Sequence, residues 1–161
     1  MNLLVSRRHA NRKRVRALGE GIRLMENEDF IEYMGDYISV VTTGSDSYAR
    51  SMTLWKKIIA ACQKYNCNNI LGQSQTQGEL STMDSFKHIE VFQEAGVTWK
   101  HRVAWVASDP EKFEQLKFVE TVLRNRSLVN GGLFRTVEEA RNWLRGDVTA
   151  KAGASKATES N

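Results

Sequence analysis

The sequence is poor in residues that cross-link or interrupt a chain. It contains two cysteines and one proline among 161 residues. Cys62 and Cys67 match neither a disulfide framework nor the ligand spacing of a zinc site, which disfavours disulfide-rich and zinc-stapled folds. No apolar run approaches the ~20 residues that cross a bilayer, and the apolar stretch at residues 3–5 is too short for a secretory signal. We therefore expect a cytoplasmic protein that folds without a metal or another cofactor.

The residues that are present suffice for a folded core. Apolar residues make up 41% of the chain and charged residues 26%, as in soluble globular domains. A chain of about 150 residues buries roughly two thirds of its unfolded surface, so it needs no covalent staple. Composition thus predicts one folded domain and disfavours collagen-like, coiled-coil and disordered classes, but it indicates no reaction.

The positive charge is concentrated at the start of the chain. Residues 1–19 hold six basic residues and no acidic one, whereas the rest has more acidic than basic residues. We interpret residues 1–20 as a flexible basic arm, which could contact nucleic acid or an anionic membrane through their phosphate charge. The alternatives are a solvated extension or a later start at Met25. The contacting residues would be Arg7, Arg8, Arg12, Lys13, Arg14 and Arg16. Residues 146–161 are predicted to be a disordered tail, which leaves residues 21–145 for the domain.

The hydrophobic period changes along this domain from strand-like to helical. Residues 21–25, 30–34 and 37–42 alternate or are β-branched, which predicts two or three strands that begin with an antiparallel pair. From Tyr48 to Tyr65 the apolar residues recur every three or four positions, which predicts one long helix started by residues 44–46.

Strand and helix patterns then alternate to the end of the domain. Residues 69–71 begin a strand, and the polar residues 73–78 are predicted to be a loop or a frayed strand end. The remaining elements are a helix opened by Ser81 and Asp84, a strand at 102–107, a helix with Pro110 in its first turn, a strand within 128–134 and a closing helix capped by Thr136 and Glu139. This order predicts an α/β fold with a mixed sheet, antiparallel at its N-terminal strands and parallel in its second half, with about four helices.

In such sheets ligands bind beyond the carboxyl ends of the parallel strands. The predicted ends point to residues 44–47, 73–85 and 108–111. Gly44, Ser45 and Ser47 form a candidate anion or ligand loop, although the lysine of a nucleotide-binding loop is missing. His88 and His101 have no zinc-like spacing, and no nucleophile motif is present, so no catalytic residue is predicted.

Several segments in this order resemble the bacterial STAS-like family, which is related to sporulation anti-sigma-factor antagonists. The resemblance covers about residues 22–145. The segments that carry it are residues 80–84, 103–107, 123–126 and 133–144, of which the last, with Glu138, Glu139, Ala140, Trp143 and Leu144, is the most specific. It implies a small STAS-like or CRAL-TRIO-like α/β module that acts by binding a protein partner.

In partner-switching members of that family, a hydroxyl at the start of the second helix is phosphorylated. The resemblance places this switch at Ser81, Thr82 or Ser85, and a phosphate there would be held by free N–H groups and the helix dipole. The family's Asp-Ser-Ser-Gly-like sequence is replaced here by Glu79-Leu80-Ser81-Thr82-Met83-Asp84. The alternative role of Ser81 or Thr82 is ordinary helix capping.

Three functional hypotheses follow. The first is a non-enzymatic regulatory module with a protein partner, which we expect from the resemblance. The second is a carrier of a small apolar molecule or lipid, which requires a cavity between the sheet and its helices. The third is an enzyme that uses the loops at the carboxyl edge, which requires converging polar side chains with perturbed pKa values.

Overall fold

Five strands form one mixed sheet in the computed structural model, which describes residues 28–146. The strands lie side by side in chain order: β1 (Asp29–Tyr33), β2 (Ile38–Ser45), β3 (Asn69–Gln77), β4 (Arg102–Val106) and β5 (Asn130–Phe134). β1 and β2 are antiparallel, and all the other neighbours are parallel. The predicted fold class is therefore confirmed. The basic arm, the strand expected at residues 21–25 and the tail after Gly146 lie outside the described residues.

Four helices connect and follow the parallel strands: α1 (Tyr48–Tyr65), α2 (Thr82–Ala95), α3 (Pro110–Asn125) and α4 (Val137–Leu144). Each begins at a polar residue whose side chain accepts a hydrogen bond from a backbone N–H three residues ahead, as is typical of N-caps. These caps are Ser47, Ser81, Asp109 and Thr136. The sequence pattern predicted that α1 is started by residues 44–46. In the structure, Gly44 and Ser45 complete β2, and Ser47 caps the helix.

The helices cover both faces of the sheet, which gives three layers. Side chains of α1, α2 and α3 pack with Ile38, Val40, Ile70 and Val103. Neighbouring strand residues such as Leu71 and Ala104 point to the opposite face, where they pack against α4. Because the strands are added in one direction, right-handed crossovers bring the first three helices to the same face.

One prediction about the strands was wrong. Residues 73–77 belong to β3 and pair with β2 from Val41 to Ser45, although their polarity had suggested a loop or a frayed end. Ser74 and Thr76 alternate with Gln73 and Gln75, so the two hydroxyl residues share the face covered by the helices. Their polarity reflects a polar site on that face instead of exposure to water.

No helix within residues 28–146 is long and apolar enough to cross a membrane.

Candidate functional site

A cleft of about 100 Å³ lies between the helix layer and the sheet. Helices α1, α2 and α3 form one side, and residues from all five strands contribute to the other. By the same measure of volume, one water needs roughly 10–15 Å³, and an apolar cavity of about 150 Å³ is known to bind benzene. The cleft has about two thirds of the volume of that benzene-binding cavity, and because it is open to the surface a bound ring need not be enclosed completely.

The inner part of the cleft is apolar and aromatic. Its side chains come from the three helices and from β4 and β5; among them are Leu54, Trp55, Phe92, Trp105, Leu116 and Leu133. The Trp55 ring lies 4.4 Å from the Phe92 ring and 5.4 Å from the Trp105 ring, between centroids. These contacts hold the aromatic wall in one arrangement.

Trp105 can lie across the sheet only because its neighbour on β3 is glycine. Gly72 is paired with Trp105, and a Cβ atom at Gly72 would stand 2.1 Å from the indole ring. That distance is far below van der Waals contact. The missing side chain therefore makes the room that the indole occupies on the floor of the cleft.

One group of polar side chains surrounds a buried ion pair at the carboxyl edge of the sheet. Lys112, 4% exposed, comes from the first turn of α3, and its Nζ lies 2.8 Å from Asp46 Oδ2 and donates to the Gly78 carbonyl. The same Asp46 oxygen accepts a hydrogen bond from the Thr76 hydroxyl at 2.8 Å. The hydroxyl oxygens of Ser74 and Thr76 lie 3.0 Å apart. Both Asp46 and Ser74 line the cleft.

A second ion pair lies on the β1 side of the cleft. Arg50 of α1 contacts Asp29 of β1 at 2.8 Å, and the same carboxylate oxygen accepts a hydrogen bond from Thr42 at 2.6 Å. All three residues line the cleft. Arg50, Asp29 and Asp46 thus face one small volume, and each of the two carboxylates is paired with a cation.

His88 contributes an imidazole from α2. Its Nδ1 lies 2.8 Å from the Asp84 carbonyl oxygen, and the side chain lines the cleft. Burial lowers the pKa of His88, against smaller opposing effects of the Asp84 carbonyl and of the Asp46 and Asp84 carboxylates. The ring is therefore neutral at pH 7.

Glu120 lines the cleft from α3. Burial raises its pKa, whereas Arg124 and Lys117 favour its ionised form. Glu120 forms an ion pair with Arg124 one turn later.

The residues of the candidate anion loop are divided between the end of β2 and the cap of α1. Gly44 and Ser45 end β2, and Ser47 uses its hydroxyl to accept the Arg50 N–H as the cap of α1. Of this segment, the cleft is lined by Asp46.

The three candidate switch hydroxyls have different surroundings. Ser81 and Thr82 are exposed at the start of α2, and the Ser81 hydroxyl both accepts from the Asp84 N–H and lies 2.8 Å from the Asp84 carboxylate. Ser85 is 3% exposed and donates its hydroxyl to the Ser81 carbonyl. In the folded domain, Ser81 and Thr82 are thus the accessible hydroxyls.

Exposed apolar side chains lie beside these hydroxyls. Met83 and Phe86 of α2 and Phe118 of α3 are 66%, 46% and 43% exposed. The two phenyl rings meet edge to face, with centroids 5.7 Å apart. We call Met83, Phe86 and Phe118 the outer patch. Trp99, in the connection between α2 and β4, is a further exposed aromatic residue, with 60% of its surface accessible.

The cysteines and the other possible metal ligands do not add a reactive group or a metal site within the described residues. Cys62 is buried, and burial raises the pKa of its thiol to about 11, so the thiolate is not available at neutral pH. Within residues 28–146 no three His, Cys, Asp or Glu side chains come close enough together to hold a metal ion. The six basic residues of the arm lie outside that range.

Sequence reasoning missed most of the cleft. Asp29, Arg50, Ser74 and Lys112 were not singled out, and His88 was considered only as a zinc ligand and set aside. One signal was available: Ser74 and Thr76 lie two apart, directly after a buried strand, and so mark one face of an extended strand. The ion pair between Asp46 and Lys112 joins residues 66 positions apart, and a single sequence gives no signal for such a contact.

Comparisons with other proteins found no relative. No family model matches the chain, and no curated protein or solved structure is significantly similar to it. The resemblance to the STAS-like family therefore stays a prediction, and function has to be argued from the site itself.

Proposed function

We propose that this domain binds a small molecule, with an apolar body and a polar end, in the cleft between its helices and its sheet. The observation that carries the proposal is the division of the cleft: an aromatic and aliphatic interior continues into a cluster of ion pairs and hydroxyls. Ligand sites commonly combine apolar walls with a few placed polar groups. The proposal concerns binding, with no chemical step.

The position of the cleft supports the same interpretation. Its polar end is formed where β2 and β3 end and where α1 and α3 begin, at the carboxyl edge of the parallel strands. Ligands of open α/β sheets bind at this edge, because loops and helix N-termini converge there. In addition, the indole of Trp105 lies over Gly72 and lines the cleft.

A cleft-filling variant tests the proposal. Leu116→Trp puts an indole into the space that a ligand would occupy, and Lys117→Trp puts the same side chain on the exposed side of the same helix. We expect toluene, as a probe of the apolar part, to give saturation-transfer difference signals with the unchanged chain and with Lys117→Trp. Leu116→Trp should lose most of that signal.

Circular dichroism must show that both variants are folded. Native mass spectrometry of the gently purified chain adds a second readout, since a co-purified small molecule should be released by Leu116→Trp and kept by Lys117→Trp. Absence of toluene binding to the unchanged chain would contradict the proposal, as would full binding by a folded Leu116→Trp protein.

A second function, regulated binding of a protein partner, is favoured by the outer patch. Three exposed apolar side chains next to two exposed hydroxyls are the arrangement that a phosphorylation-controlled interface requires. A phosphate on Ser81 would stand beside the Asp84 carboxylate, break their hydrogen bond and add negative charge next to the patch. This is the STAS-like regulatory function that the sequence resemblance implies.

Mapping and substitution test this second function. Phosphopeptide mapping of the protein from its native cells should find modification at Ser81 or Thr82. The double variant Ser81→Ala with Thr82→Ala should change the capture of a partner, whereas Ser108→Ala with Thr121→Ala, two exposed hydroxyls elsewhere, should not. Unmodified Ser81 and Thr82, or unchanged capture by the first variant, would refute the switch.

A further inference from the structure

Two of the three hydroxyl groups that line the cleft, those of Thr42 and Ser74, have their protons directed away from a ligand. Thr76 donates to Asp46 Oδ2, because a carboxylate paired with Lys112 can only accept. A hydroxyl has one proton, so in the contact between Ser74 and Thr76 the donor must be Ser74. The Ser74 hydroxyl therefore donates its proton to Thr76. Towards the cleft, its oxygen can only accept a hydrogen bond.

Thr42 follows the same rule. Its hydroxyl donates to Asp29 Oδ1, which also contacts Arg50. The oxygen of Thr42 can therefore only accept a further hydrogen bond. Two hydroxyl residues on neighbouring strands, Thr42 and Ser74, are paired in register and both line the cleft.

The imidazole of His88 has a defined tautomer. The Asp84 carbonyl oxygen cannot donate, so the 2.8 Å contact requires the proton on Nδ1. In the neutral ring the other nitrogen, Nε2, then carries a lone pair. Every buried side-chain nitrogen or oxygen in the described part of the chain has a hydrogen-bond partner; Nε2 has none, so it is not buried and stays accessible. Since the contact with Asp84 uses Nδ1, Nε2 is the ring atom left to accept a hydrogen bond from a ligand.

We infer that the ligand of this cleft presents a hydrogen-bond donor, a hydroxyl or an amine, to the acceptors Ser74 Oγ and His88 Nε2. A carboxylate end would meet lone pairs at Ser74 Oγ and His88 Nε2, where it needs protons, and the guanidinium of Arg50 is already paired with Asp29. This part of the cleft therefore selects against a carboxylate. The inference deepens the proposed function and rests on it: the apolar body explains why a molecule enters, and the acceptors determine which polar group it carries.

Four probes with one ring and different ends test this selection: toluene, benzyl alcohol, benzylamine and benzoate. Dissociation constants are measured with the full chain by chemical-shift titration at pH 7.5. We expect benzyl alcohol and benzylamine to bind about threefold to tenfold more tightly than toluene, which is the effect of one net hydrogen bond, and benzoate to bind more weakly than toluene.

Variants assign the preference to the two acceptors. Ser74→Ala and His88→Phe each remove one acceptor, and each should reduce the ratio of the toluene to the benzyl alcohol dissociation constant. Ser39→Ala is the matched control: Ser39 lies on β2 and points to the other face of the sheet, so the ratio should not change. Using two variants keeps the test decisive if one fails to fold.

The outcomes separate the inference from the proposed function. If all four probes bind with similar constants, or benzoate binds most tightly, the cleft binds ligands and the inference is wrong. A preference for the alcohol that persists unchanged in both Ser74→Ala and His88→Phe also overturns it. If no probe binds, toluene included, both the inference and the proposed function fail.

Discussion

At the scale of single residues, the cleft depends on a side chain that is missing. Gly72 has no Cβ, and the indole of Trp105 occupies the place where one would stand. Trp105 in turn contacts Trp55, so the shape of the aromatic wall is coupled to one strand position. The sequence showed Gly72 as the end of an apolar strand and gave no indication of this contact, which joins residues of two strands.

Gly72→Ala should therefore destabilise the domain. The added methyl forces the indole to move, and overpacking of this kind costs about 1–3 kcal/mol in the free energy of unfolding. Urea unfolding followed by tryptophan fluorescence measures it, and the emission of the native state should shift as well. In a background of Trp105→Leu the same substitution should cost clearly less. An equal cost in both backgrounds would show that Gly72 and Trp105 are not coupled.

The burial of His88 leads to a prediction of how the free energy of unfolding depends on pH. Burial lowers its pKa in the folded state, so as the pH falls below ~6.5 the unfolded chain takes up the proton first. Protonation then favours unfolding, and stability should decrease from pH 7.5 to pH 5. His101, whose pKa is lowered by burial and by Lys100, contributes in the same direction.

His88→Phe should reduce that decrease, because one of the two contributing rings is removed. The measurement is the free energy of unfolding in urea at pH 7.5, 6.5, 5.5 and 5.0 for the unchanged chain and the variant. Identical pH profiles for the two proteins would contradict the assigned burial of His88.

At the scale of the elements, Lys112 connects segments that are far apart in the chain. From α3 it reaches Asp46, between β2 and α1, and the carbonyl of Gly78, after β3. Three connections at the carboxyl edge are thus joined at one ammonium group. Such a buried pair is not evidence of high stability, but removal of one partner leaves the other charge unpaired.

Lys112→Met should accordingly cost about 3 kcal/mol in the free energy of unfolding. The matched control is Lys87→Met, because Lys87 forms an exposed pair with Asp84 at 3.8 Å and its removal should cost about 0.5 kcal/mol or less. Thermal and urea unfolding give both values. A Lys112→Met protein as stable as the control would show that the edge is not held by this contact.

The elements also show what the sequence could predict. Helices α1 to α4 and the caps at Ser81 and Thr136 followed from the 3.6-residue period and from the capping-box spacing, since these are local features. The end of β3 was misjudged because polar residues on a strand are normally exposed, whereas Ser74 and Thr76 face the cleft. Polarity alone does not distinguish a strand that lines a site from a loop.

At the scale of the whole molecule, topology rules could predict the arrangement of the strands but not the position of the site. Short connections and right-handed crossovers limit the possible sheets, and the mixed sheet agrees with them. The cleft, by contrast, needs Asp46 beside Lys112 and Asp29 beside Arg50, which are tertiary contacts between distant segments. A single sequence contains no signal for such pairs.

The basic arm gives a prediction that is separate from the cleft. If Arg7, Arg8 and the other basic residues of the arm contact phosphates, binding of the full chain to duplex DNA or to anionic vesicles should fall steeply as salt rises. Deletion of residues 1–19 should abolish it. Binding that is insensitive to salt, or that survives the deletion, would refute the contact.

The most direct test of the central claim is to locate a bound probe. Intermolecular nuclear Overhauser effects between toluene and the isotope-labelled full chain report which side chains lie within a few ångströms of the ring. The account predicts contacts to Trp55, Trp105 and Leu116 inside the cleft. Contacts confined to Met83, Phe86 and Phe118 on the outer patch, or no contacts at all, would contradict it.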